Sequence, residues 1–254
     1  MTRDGTTAHA SSDEGLTSAK SRRRAFGRVS RRPAVWWYLA AIVLFAAGVA
    51  AAARDYPGGF DWPYMVASTL ASPTDNPAGG MWFAGAWTVS MAMLWWCASL
   101  LKRRLPPWVS RFARWAYDAL QFGLICFALV GLDMLLGRVV SRHIHKGHEI
   151  FALVAFFGTY LGVLGSLAGV LRDRRFHVLP VLVVAIPLIG VGITQAWLYF
   201  EQRNLGWVDE SWRAQGVPVW LSFAFWQWLA IGFLLAGVGL LVWANGSRRS
   251  ARRE

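Results

Sequence analysis

The sequence predicts an all-α, polytopic membrane protein, a six-transmembrane-helix antiparallel bundle. Three observations carry this. Six apolar stretches are each long enough to cross a hydrocarbon core of about 30 Å, which takes roughly 20 helical residues. Lys and Arg concentrate on alternate sides of those stretches. Tryptophan, 16 residues among 254, gathers near their ends.

The spans read as Ala34–Ala53, Gly80–Leu101, Phe112–Gly137, His148–Leu171, Val178–Phe200 and Val219–Ala244. Their apolar runs are continuous rather than alternating, which predicts helices. Only helices and closed barrels satisfy the backbone in lipid. Short connections make sequential helices antiparallel neighbours.

Twenty of the 26 Lys and Arg residues fall on one side, from the N-terminal run through Lys102–Arg104, Arg111, Arg114 and Arg172–Arg175 to the C-terminal run. Arg54, Arg138, Arg142, Lys146, Arg203 and Arg213 fall on the other. Positive residues stay cytoplasmic, so both termini are placed inside, in a bacterial cytoplasmic (inner) membrane. Residues 1–32 read as a disordered basic cytoplasmic tail, 33–245 as the membrane domain and 246–254 as a second basic tail. A cleaved leader ending at the Ala51/Ala53 pair is the rival reading; its apolar run is long for a signal peptide. The net charge of +12 flanks spans, which indicates lipid headgroups as partners rather than nucleic acid. Trp36, Trp37, Trp95, Trp96, Trp108, Trp207, Trp212 and Trp243 fit interfacial positions.

Within the membrane, Gly158, Gly162, Gly165 and Gly169 form small-xxx-small pairs suited to close packing of a neighbouring helix in the same chain. Pro187 predicts a kink in the fifth span. Cys97 and Cys126 lie inside spans and indicate no disulfide framework. Two carboxylates lie in the third span. Asp118 is placed to pair with Arg114 one turn earlier, and Asp133 with Arg138 or Arg142.

Two segments on the outer side carry the candidate chemistry. In loop one, Asp61 followed by Trp62-Pro63 reads as an N-cap and a first turn, with a short helix through about Ala71. Ser72-Pro73 ends that helix, and Asp75 or Asn76 is placed to cap the second span. Its aromatics predict a loop ordered against the bundle. The second segment, Ser141 to Glu149, holds His143, His145 and His148. Imidazole is a common metal ligand, with Asp75, Asp133 or Glu149 able to add an oxygen. The spacing matches no zinc signature, and Arg142 and Lys146 disfavour a cation, so no metal and no cofactor is expected. Ser141-Arg142 with His148 matches one fragment of a lipid-phosphatase pattern, but Ala152 stands where that pattern needs an acid.

The run Phe60-Asp61-Trp62-Pro63-Tyr64, then Ser68 to Pro73, Asp75-Asn76-Pro77, Gly80, Phe83 and Gly85, resembles part of an uncharacterised bacterial six-span family. That family lies near the DRAM and FGF-receptor-activating-protein superfamily. His148 with Ala152 and Phe156 is similar to its fourth span. The resemblance implies a six-helix bundle with an ordered outer loop. Eukaryotic relatives are associated with lipid remodelling, autophagy and recruitment of a lipid kinase. It implies no settled reaction, and Asp75, Asn76 and His148 carry over only as patterned positions.

The expected function is an integral membrane protein of unassigned activity that contacts membrane lipid. Its outward-facing pocket would be built from Asp75, Asn76, Asp133, His143, His145 and His148. A metal-dependent lipid hydrolase using the same residues is the alternative, with metal-bound water as nucleophile. A small proton-coupled transporter, with Asp133 as carrier, is the third reading.

Overall fold

A computed structural model describes residues 32–105, 111–136, 147–171, 178–201 and 213–247. Every regular element among them is helical. Six helices are long and apolar enough to cross a membrane. They are α1 (Arg32–Arg54), α3 (Gly80–Arg103), α4 (Arg111–Leu135), α5 (Gly147–Leu171), α6 (Val178–Glu201) and α7 (Phe223–Ser247). A single turn of helix, α2 (Ala67–Leu70), interrupts loop one between α1 and α3.

Two expected span ends fall outside the helices, while the others are reached or exceeded by a few residues. The third span was expected to reach Gly137, but α4 closes at Leu135, and Gly137 lies outside the described residues. The sixth was expected to start at Val219. Instead Pro218 and Ser222 are both extended, with ψ of 143° and 126°, and isolate Val219–Leu221 as a separate 3-10 turn. The Trp226 indole donates to the Trp220 carbonyl at 2.7 Å, fastening that turn to the start of α7. The helix of α6 continues through Pro187. The N-terminal tail up to residue 31, the C-terminal tail from 248, and Trp108, Trp207 and Trp212 lie outside the described residues.

Lipid tails are as apolar as leucine, so helices associate in a bilayer by close packing and hydrogen bonds. The glycines of α5 show this. A methyl placed on Gly158 would meet Gly123, and one on Gly162 would fall on the Leu120 backbone. One on Gly165 would press Ala116, and one on Gly169 would touch Ala113 at 3.7 Å. Numbers fall on α4 as they rise on α5, so the two helices run antiparallel with backbones in near contact. On its other side α4 meets α3 in the same antiparallel sense. Gly131 lies under Thr88 and Trp87, the Trp87 indole donates to the Phe127 carbonyl at 2.8 Å, and Gln121 donates to the Ser99 hydroxyl. Asp118 pairs with Lys102 across this seam, not with the expected Arg114 alone on its own helix. An inter-helix partner lay within reach that local spacing does not show.

The last span, α7, touches several others. Tyr38 of α1 donates to the Leu235 carbonyl at 3.1 Å, and Gly237 seats Val163 of α5 and Val184 of α6. Exposed tryptophans mark both ends of the bundle. Trp36, Trp37, Trp96, Trp115 and Trp243 stand at one end, and Trp62, Trp82, Trp197 and Trp220 at the end that carries loop one. Indole is favoured at the membrane–water boundary.

Overpacking a tight contact costs about 1–3 kcal/mol. Gly162→Val therefore lowers the unfolding temperature in detergent by several degrees. Gly190 faces open space, so Gly190→Ala leaves it unchanged or raises it through helix propensity. Equal behaviour of the two variants would contradict the α4–α5 packing.

Candidate functional site

Loop one is folded tightly onto the bundle. Gly58 and Gly59 adopt φ of 77° and 89°, a left-handed pair that turns the chain so that Phe60 packs edge-on against Tyr56 at 5.3 Å. Phe60, Trp62 and Trp228 then form a triangle of tilted rings with centroids 4.8, 5.1 and 6.0 Å apart. Such edge-to-face pairs add to area burial. Tyr64, Met65 and Leu70 all turn inward and are buried.

The expected capping by Asp61 is not what forms. The Asp61 backbone carbonyl accepts from Tyr64 and Met65 N–H groups, making a turn rather than a helix start. Its carboxylate meets the Arg213 guanidinium at 2.9 Å. The helical segment shrinks to Ala67–Leu70, and its N-cap, Val66, supplies no side-chain acceptor. The acceptor comes from α7. Gln227 Oε1 takes the Ala67 N–H at 2.8 Å, while the Trp228 indole donates to the Met65 carbonyl at 3.0 Å. Tyr64 donates to the Val217 carbonyl at 2.6 Å. Four polar contacts, besides the Trp228 ring packing, thus stitch loop one to residues 213–228.

Asn76 closes the other side. It is fully buried, and both protons of its amide are used. Nδ2 donates to the Ala52 carbonyl at 2.9 Å and to the Leu70 carbonyl at 3.0 Å. Oδ1 accepts from the Gly79 N–H at 2.9 Å. One side chain therefore satisfies orphan groups at the end of α1, the end of α2 and the start of α3. Gly79 must be small for this, because a Cβ there would lie 2.6 and 2.7 Å from the amide atoms. The N-cap of α3 is Gly79, with no side-chain cap bond, so the expected cap by Asp75 or Asn76 does not form; Asn76 instead holds the Gly79 N–H, and its side chain stands outside the cavity described next.

Beneath α2 lies a cavity of about 50 Å³. Its roof is Ala67, Ser68 and Ala71. Its walls are aromatic and aliphatic, with Phe83 and Trp87 of α3, Phe127, Val130 and Met134 of α4, and Ile231 of α7. From α5 come His148, Ala152 and Phe156 at i, i+4 and i+8, one face of the helix. The rings continue as a layer, Phe83 to Trp87 at 5.6 Å, Trp87 to Phe127 at 5.3 Å and Phe127 to Phe156 at 4.9 Å. Ser68, His148 and Gln227 are its polar lining. A site needs on the order of 10–15 Å³ per water by this measure, so the cavity admits a few waters or a short ligand segment, not a whole lipid.

Of the sequence candidates among the described residues, His148 alone lines this cavity. Asp75 is exposed on loop one, with its backbone N–H toward the Ser72 hydroxyl at 3.4 Å. Asp133 is 8% exposed, in the last turns of α4 beside the lining residues Val130 and Met134. His143 and His145, with Arg138 and Arg142, lie outside the described residues. Among the described residues no three His, Cys, Asp or Glu side chains converge as a metal set. Ser68 and Gln227 were missed as site residues. Ser68, Ala71, Phe83, His148, Ala152 and Phe156, from two patches some 65 residues or more apart in the chain, meet around one space. Comparison with protein-family models, with curated proteins and with solved structures finds no match.

Removing the Asn76 donors strands two buried carbonyls, and each unsatisfied buried group costs about 1–3 kcal/mol. Asn76→Asp keeps the shape but not the donors. It lowers the unfolding temperature strongly, whereas Asp75→Asn is close to neutral. Thermal unfolding of the three proteins in one detergent checks this, and equal stability would refute the role given to Asn76.

Proposed function

We propose that this multi-pass membrane protein binds lipid at the end of the bundle covered by loop one. The cavity beneath α2 takes an apolar segment of the ligand, and Ser68, His148 and Gln227 meet its polar portion. The observation that carries the reading is the lining itself, a mostly aromatic and aliphatic space with three polar side chains. Ligand sites combine apolar walls with a few placed polar groups in this way. The small volume fits part of an amphiphile and leaves the rest in the bilayer. The convergence of both patches that resemble the lipid-linked superfamily supports the same reading.

The Lys and Arg asymmetry supports an orientation with loop one outside and both termini cytoplasmic, in a bacterial inner membrane. In that setting the cavity serves the outer leaflet.

A phospholipid carrying a diazirine near its chain end tests the binding. Photolysis in nanodiscs is expected to mark α3 and α5 peptides that line the cavity, and Ala152→Trp abolishes that labelling at unchanged unfolding temperature. Labelling spread evenly over lipid-facing residues such as Val183 and Ile186, and indifferent to Ala152→Trp, would overturn it. Orientation is tested separately, in a chain with Cys97 and Cys126 replaced. Cysteine at the exposed Thr74 reacts with an impermeant maleimide on intact cells. Cysteine at the exposed Arg111 reacts only after permeabilisation. The reverse pattern would invert the topology.

A further inference from the structure

The end of the bundle opposite loop one carries charge that the cavity does not use. α3 closes with Lys102 and Arg103, followed by Arg104, and α4 opens with Arg111 and then Arg114. Between positions 102 and 118 the one carboxylate is Asp118, against these five cations. On α4, Arg111, Arg114, Trp115 and Asp118 recur at i, i+3, i+4 and i+7, so they share a face. All four are exposed. Asp118 pairs with Lys102 of α3, which sets this face at the α3–α4 seam.

The company of these cations decides what they suit. Phe112 and Trp115 are exposed beside them, with ring centroids 6.2 Å apart. Trp96 is exposed near the end of α3. Guanidinium groups that meet exposed aromatic rings at a span's end lie at headgroup depth, with their stems along the apolar surface. Arginine presents a planar fork to phosphate oxygens. A soluble anion would gain nothing from the rings, whereas a phospholipid places its phosphate at the arginines and its glycerol and first methylenes at Trp115.

We propose that the α3–α4 seam binds the phosphate of an anionic phospholipid. Arg111 and Arg114 take the phosphate, and Asp118 holds Lys102 beside it while lowering the local positive charge. The site is independent of the cavity. Its assignment to the cytoplasmic leaflet rests on the orientation proposed above.

Native mass spectrometry of the detergent-purified full chain tests it, with phosphatidylglycerol, phosphatidylcholine and glycerol phosphate titrated in turn. Phosphatidylglycerol binds wild type more tightly than phosphatidylcholine does, and glycerol phosphate does not compete. Each basic residue near an anionic surface contributes roughly fivefold, so Arg111→Gln with Arg114→Gln weakens phosphatidylglycerol by about thirtyfold. Asp118→Asn tightens it, and Arg54→Gln, at the far end, leaves it unchanged. Equal affinity for the two lipids overturns the proposal. So does full phosphatidylglycerol affinity in either single arginine variant and in the pair. Binding of glycerol phosphate as tight as that of the lipid overturns the lipid assignment. These outcomes do not depend on cavity labelling or on membrane orientation.

Discussion

The Asn76 side chain is the contact on which the loop-one end of the molecule depends. Helix ends carry carbonyls and N–H groups with no partner inside the helix, and near a bilayer they lack ready water. Three such ends meet here, and one carboxamide serves all of them through Ala52, Leu70 and Gly79. The arrangement fixes where α2 sits relative to α1 and α3. Gln227 and Trp228 then anchor the other flank of α2 to α7. With both flanks tied, α2 becomes a roof rather than a length of loop, and the cavity exists because the roof is held.

The walls below that roof change character along the bundle. Between Ala113 and Gly123, α4 meets α5 through small residues, and a methyl has no room at Gly158 or Gly162. One turn further toward loop one the contact passes to the rings of Phe127 and Phe156. Small residues make a close seam from the first turn of α4 to its midpoint. Rings, which pack edge to face and leave gaps at their corners, border the space near the surface. The glycine seam and the cavity are thus consecutive parts of one helix pair.

The six spans were legible because each is set by a local property, twenty or so apolar residues in a row. Loop one was legible as ordered for a related reason, since Tyr56, Phe60, Trp62 and Tyr64 are too apolar to stay in water. Individual partners were not legible. Asp61 carries the sequence signature of a cap, yet Arg213 takes its carboxylate from more than 150 residues away. Asp118 has an arginine one turn earlier on its own helix, yet the neighbouring helix offers Lys102. Gln227 sits in an apolar run with nothing local to mark it, because its partner is a backbone N–H of loop one. His148, Ala152 and Phe156 did hold a readable signal, a four-residue rhythm on one helix face. The signal lacked only its counterpart on α3 and α4.

Hydrogen exchange, followed by mass spectrometry in nanodiscs, tests most directly whether α2 is a fixed roof. The N–H groups of Ala67, Ser72, Asn76 and Gly79 are all committed to named acceptors. Peptides covering residues 64–80 are therefore predicted to exchange as slowly as the ends of α1 and α3, and to lose that protection in Asn76→Asp. Exchange in wild type at the rate of an open loop, with no change in the variant, would contradict the account.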